Sequence, residues 1–206
     1  NLINNTNNEL VFAEATGVGG LVTLDGGAQN FDGNNPIFID AELALVNGSG
    51  ITKTQFVDIR ATRLSLNDCE LQTQTNKATV VSDNAGALTE SGGWVSSQPT
   101  GYLSRSMVSG RTYLFPVGIE GESGSRRDLT VTPQDALEFF GRSYGVRLDG
   151  QPNIFPPTSN DETVEDICEI NPDYHWEITD TANGNSDVFA AEFQMDAADV
   201  PYTDSL

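Results

Sequence analysis

Few residues in this chain are able to do covalent or metal chemistry, and their spacing limits what that chemistry can be. His175 is the only histidine. A nucleophilic triad needs a base beside its nucleophile, and no Ser or Cys is placed beside His175 by the sequence. In an alternating segment His175 faces away from Tyr174, Trp176 and Ile178 and toward solvent. One His and two distant cysteines, Cys69 and Cys168, do not make a tetrahedral zinc set. The stretch from Asp180 to Asp187 offers oxygen ligands from Asp180, Asn183, Asn185 and Asp187 around Gly184, which suits calcium. It lacks the terminal bidentate Glu of the helix–loop–helix calcium loop, and a plain Asn-Gly turn has the same composition. Asp161, Glu162, Glu165 and Asp166 form a second acidic cluster, readable as a weak cation site or as a solvated charge run. The 30 acidic residues make many carboxylate pairs, but a glycosidase needs two held about 5–9 Å apart in space. The expectation is a non-enzymatic protein with no cofactor other than calcium.

The elements that must position these residues are short and apolar. Leu10–Phe12, Gly20–Leu24, Pro36–Ile39, Glu42–Val46, Gln55–Ile59, Leu64–Leu66, Glu70–Thr73 and Ala78–Val81 read as strands. Asp-Gly and Asn-Gly pairs separate several of them. No exact repeat is visible, so rungs of a short parallel β-helix and a meander of hairpins both fit. Beyond residue 91, Thr112–Phe115, Asp128–Thr132, Tyr174–Ile178 and Val188–Phe193 alternate more clearly. Three prolines and five acids mark 149–166 as a long loop. The fold class expected is all-β, with a β-helix-like or meander part over 1–91 followed by an antiparallel β-sandwich over 92–206.

Composition narrows the partners. The 206 residues carry a net charge of −20, with 37% hydrophobic and 19% charged residues and 20 Gly. A chain this acidic lacks the Lys/Arg patches that neutralise phosphates, which excludes nucleic acid as a partner. An anionic bilayer repels it, and there is no run of 18 apolar residues, so membrane insertion is not expected. The chain starts at Asn1 without Met or a signal peptide, as a mature or trimmed piece of a longer protein would.

The segment Gly101–Gly118, Gly-Tyr-Leu-Ser-Arg followed by Arg-Thr-Tyr-Leu-Phe-Pro-Val-Gly, reads as two strands joined at Ser109-Gly110. Phe115, Pro116, Val117 and Gly118 form its most specific piece, in which Pro116 removes a ladder donor and Gly118 frees the backbone to turn. With Leu129–Thr132, Phe139–Gly145 and the strand around Trp176, this pattern resembles a domain of large secreted surface proteins of the Bacteroidetes. The resemblance covers about residues 92–201. It implies secretion by the type IX route, an extracellular, cell-surface location, and a structural or adhesive role in an adhesin or filament. It also implies a glycoprotein, because Asp180-Thr181-Ala182 and Asp204-Ser205-Leu206 match the O-glycosylation pattern of that phylum, at Thr181 and Ser205. In an oxidising compartment Cys69 and Cys168 are expected to pair as a disulfide joining the two halves.

Phe115, Phe139, Tyr174 and Trp176 are the expected sandwich core. Partners are expected to be other copies of the chain or neighbouring domains of a longer surface protein, and glycans. One route to self-assembly is addition of the N-terminal strand to a neighbour's sheet edge; the other is pairing within its own domain. The alternative function is a carbohydrate-binding module using exposed aromatics such as Trp94 or Tyr102. A third is a secreted hydrolase fragment with two close carboxylates in a cleft.

Overall fold

The computed structural model describes residues 1–13, 19–121, 125–134, 142–150, 174–180 and 189–193. They form fifteen strands: β1 (Leu2–Asn4), β2 (Leu10–Ala13), β3 (Leu21–Asp25), β4 (Gln29–Gly33), β5 (Ile37–Gln55), β6 (Ile59–Gln72), β7 (Lys77–Val80), β8 (Leu88–Ser91), β9 (Trp94–Ser96), β10 (Tyr102–Met107), β11 (Tyr113–Gly118), β12 (Arg127–Pro133), β13 (Arg142–Asp149), β14 (His175–Asp180) and β15 (Phe189–Phe193). A single 3₁₀ turn, Ala85–Ala87, precedes β8. No helix among these residues is long and apolar enough to cross a membrane.

The first half winds as a coil of about four turns, a β-solenoid-like stack. Parallel pairing settles the choice between rungs and hairpins. One ladder runs β2, residues 37–40 of β5, residues 59–61 of β6, β7 and β10. A second runs β3, residues 42–46 of β5, residues 63–67 of β6 and β8. A third runs β1, β4, the end of β5, the end of β6, β9 and β11. Each long strand therefore serves all three ladders, turning the corner within itself. Matching positions recur at steps of 18 residues (Lys53 to Leu71), 21 (Leu43 to Leu64), 24 (Leu71 to Val95) and 27 (Leu10 to Ile37). A turn length this variable leaves no exact repeat in the sequence.

Along much of β5, β6 and β7 alternate residues point inward and stack on their equivalents in the next rung. Leu43, Leu64 and Leu88 make one such column, and Leu45 and Leu66 belong to another. Ile37, Ile59, Ala78, Leu103 and Val146 make a third, continuing into the antiparallel strands. Stacked repeats bury a continuous core that no single rung could bury alone. β1, β4, β8 and β9 are not among the strands expected from the sequence, and β4 shows why. Phe31 is wholly buried although it is the one large apolar residue of β4, because the third ladder stacks it between Leu2 and Gln55. Two other expectations are corrected. Gln55–Ile59 is a corner rather than a strand, and Asn47-Gly48 does not interrupt β5 but lies where its register with β6 shifts.

After β8 the second ladder ends, and the chain continues in two antiparallel extensions. β13 pairs with β10 and β14 with β13; β12 pairs with β11 and β15 with β12. Ladder bonds cross residues 91 and 92, since β9 pairs on β6 and β10 on β7. β10 and β11 are separated by a turn at Ser109-Gly110, as expected, but they join different ladders rather than forming a hairpin. From β10, Arg105 reaches across to β11 with no exposed surface. Its guanidinium donates to the carbonyls of Ala85 (2.8 Å), Leu114 (2.9 Å) and Asn84 (3.4 Å), and stacks 5.1 Å from the Tyr113 ring. Burial pushes it down to about 10, so it stays charged at neutral pH. It bonds backbone carbonyls at the place where the second ladder stops supplying N–H groups.

Candidate functional site

The outer face of β13 and β14 gathers the most titratable groups. Asp149 lies directly opposite His175 in the antiparallel register, and Glu177 follows two residues along the same face. One ligand atom from each lies within 4.8 Å of the others. Arg147, on that face of β13, is already among them. Its Nε and one terminal nitrogen donate to the two oxygens of Glu177 at 2.7 and 2.8 Å, and that same nitrogen is 3.0 Å from Asp149. Its other terminal nitrogen donates to the Pro99 carbonyl at 2.6 Å. His175 Nε2 is 3.3 Å from Glu177. The hydrogen bonds with Arg147 hold the Glu177 carboxyl below its ordinary value and raise Arg147. A divalent ion binding Asp149, His175 and Glu177 would have to displace this bidentate guanidinium, so the residues fit an ion-paired clasp between β13, β14 and the turn at Pro99 better than a metal centre.

A second network closes the end of β8. Arg126 is bidentate on Asp128 (2.7 and 2.6 Å) and reaches Glu90 at 2.7 Å. Glu90 also accepts the Gly92 N–H, and its carboxyl lies below the ordinary value, chiefly through Arg126. Nearby, the buried Glu70 carboxylate accepts from Ser96 Oγ (2.6 Å) and the Gly121 N–H (3.0 Å), anchoring the turn after β11.

The expected site residues separate on this frame. Trp94 is buried, with its ring edge against Gly118, so it offers no platform for a sugar ring. Tyr102 is half-buried, packed over Gly145, with Lys77 5.5 Å from its ring. Phe115 and Val117 are fully buried, and Tyr174 and Trp176 meet edge to face at 5.4 Å. Leu148 and Val146 stand opposite Trp176 and Ile178, with His175 on the other face, as alternation required. Gly118 is corrected: it lies within β11, opposite Ser96, and its φ is not in the left-handed region. Its role is close approach to Trp94 rather than a turn. Cys69 is a free, fully buried thiol whose Sγ meets the Leu45 carbonyl at 3.5 Å, so the expected disulfide is not formed. Cys168 lies outside the described residues, as do Asn183, Asn185 and Asp187 of the calcium stretch, Thr181, Ser205 and Phe139. Asp180 ends β14, opposite Tyr144.

One feature had no counterpart in the sequence reading. A groove of about 620 Å³ lies at the corner between the first two ladders, lined by Asp40, Ala41, Glu42, Thr62 and Arg63 and by residues 19–21. Ile39 stands opposite Ala61 and Glu42 opposite Arg63, so Asp40 and Ala41 together oppose Thr62 alone. This is a β-bulge, which bends the strand and re-aims side chains. Asp40 accepts from Thr62 Oγ1 at 2.9 Å, Arg63 meets Glu42 at 3.5 Å, and the Glu42 N–H donates to the Gly20 carbonyl at 3.0 Å. A one-residue register shift between distant strands leaves no local sequence signal. Comparison with protein-family models, with curated proteins and with solved structures finds no match to this chain.

Proposed function

We propose that this chain is a non-enzymatic structural unit of an extracellular cell-surface adhesin or filament, of the secreted Bacteroidetes type that its Phe115–Gly118 segment resembles. The observation that carries the reading is the first rung of the coil. Among the described residues β1, β2 and β3 each have ladder partners on one side only. The same rung holds three of the large apolar side chains that are exposed, Ile3 (51%), Val11 (49%) and Leu21 (61%). Open parallel edges flanked by apolar side chains are templates for strand pairing. The N-terminal strand β1 pairs with β4 of its own chain, so assembly by this reading adds a strand to the rung instead of donating β1. The two antiparallel extensions are then the two layers of a terminal sandwich.

Electron microscopy and sedimentation of native material under non-denaturing conditions test this. Filaments or end-to-end oligomers that a Val11→Lys, Leu21→Lys double variant abolishes are the expected result. A monomer at all concentrations, for wild type and variant alike, removes self-assembly and leaves a spacer within a longer chain.

A carbohydrate-binding module is the second reading. It no longer rests on Trp94, and the observation that favours it is the groove at Asp40 and Arg63.

A further inference from the structure

We infer that the groove at the corner between β3 and the β5–β6 pair binds a neutral, hydroxyl-rich ligand, a short uncharged oligosaccharide; the inference rests on the carbohydrate-binding reading and names its site. The groove is large enough for several sugar-sized groups, at about 620 Å³ within the range of small-molecule sites. Its floor is rigid, because the lining residues from 40 to 63 sit on two strands paired to each other through long ladders. The bulge at Asp40-Ala41 turns Asp40 to Thr62 at the point where the two strands fall out of step.

The polar lining suits hydroxyls and little else. A hydroxyl both donates and accepts. Asp40 and Glu42 are acceptors and Arg63 supplies donors, while Thr62 Oγ1, whose proton goes to Asp40, accepts. Arg63 contacts Glu42 through one terminal nitrogen at 3.5 Å, and its side chain is 57% exposed, so the fork keeps donors for a ligand. Ala41, Leu21 and the two glycines give an apolar strip for the C–H face of a ring. An anionic ligand meets two carboxylates on a chain of net charge −20. A divalent cation meets the Arg63 guanidinium. An apolar ligand leaves Asp40 and Arg63 to be desolvated without partners.

Gly19 supplies a clean block. Gly19 lines the groove, and a Cβ built there meets nothing within 4 Å at an ordinary φ, so Gly19→Tyr adds a ring at the groove's rim without strain in the coil. The test uses the full chain and a panel of neutral gluco-, manno-, galacto- and xylo-oligosaccharides, read by saturation-transfer NMR and calorimetry. At least one member is expected to bind, with affinity falling about ten-fold or more in both Gly19→Tyr and Asp40→Asn. Thr89→Ala, on β8 away from the groove, should leave binding unchanged, and all three variants should keep the wild-type melting curve. Binding that survives both groove variants overturns the site and retains the carbohydrate-binding reading. No binding across the panel at about 10 mM sugar overturns both. Tighter binding of sulfated or uronic-acid oligosaccharides than of neutral ones overturns the ligand class. Filament imaging is scored separately, so these results do not depend on self-assembly.

Discussion

Replacing Gly118 with alanine separates two roles for the last residue of the Phe-Pro-Val-Gly segment. A Cβ at Gly118 would lie 2.7 Å from Trp94 Cδ1, 3.0 Å from its Nε1 and 3.3 Å from the Arg126 Cα. Trp94 is buried, and the third atom is backbone, so neither neighbour yields easily. Overpacking of this kind costs about 1–3 kcal/mol. Alanine also lowers the entropy of the unfolded chain, which returns about 0.4–1 kcal/mol. The net loss should be about 1–2 kcal/mol, or a fall of about 0.5–1 M in the urea midpoint for a slope near 2 kcal/mol/M. The decisive measurement is a double-mutant cycle with Trp94→Leu. If the ring is the obstacle, shrinking it should recover about 1 kcal/mol of the alanine cost. Gly110→Ala is the contrasting case: Gly110 has φ +76° and open space around it, so its cost comes from backbone strain and should not couple to Trp94. Gly27→Ala, with open space and ordinary φ, should be neutral or slightly stabilising. A Gly118→Ala cost that Trp94→Leu leaves unchanged would refute the close-approach argument and return Gly118 to a turn-forming role.

Three further outcomes are expected. Lys53 has no exposed surface and donates to the carbonyls of Gly26 and Gly27 and to Gln29, all at 2.7–3.0 Å; Lys53→Met should destabilise by about 1–3 kcal/mol in urea titration, because these acceptors lose a charged donor. Glu90 and Glu177 both titrate below the ordinary value of 4.5 through their arginine partners. Their contribution is therefore present at neutral pH and lost as pH falls below about 4.5, and Arg126→Met and Arg147→Met should each flatten the acid limb of a stability–pH curve. Burial raises the Cys69 thiol from 9.0 to about 11, so the protonated thiol stabilises the fold below pH 9 and this is lost as pH rises toward 11. In peptide-mapped alkylation Cys69 should stay unlabelled in the native protein and label fully after denaturation; rapid native labelling would show that the column around it opens.

Much of the chain was legible because local patterns carried it. Leu10–Phe12, Gly20–Leu24 and Ala78–Val81 were visible as short apolar runs, the Trp176 strand as alternation, and the Ser109-Gly110 turn as turn chemistry. β1 and β4 were hidden because a coil position can be specified by what lies above and below it. In β4 the side chains of Gln29, Asn30 and Asp32 give no apolar rhythm, and Phe31 alone holds the core position. Nothing local marks Arg105 and Lys53 as buried, because their burial depends on carbonyls brought from strands and turns distant in the chain.

Composition and alternation by themselves determined that the chain is all-β and rich in short strands. Those properties depend on residue types and on near neighbours, which a linear sequence records. Only the tertiary structure decided that the strands stack in parallel, that Trp94 is sealed beneath Gly118, that Arg147 stands among Asp149, His175 and Glu177, and that a bulge sets Asp40 beside Thr62. Each of these depends on register between segments 18 to 30 residues apart, as Lys53 is from Leu71 and Arg147 from Glu177, and register is set by the summed packing of whole rungs rather than by any one of them.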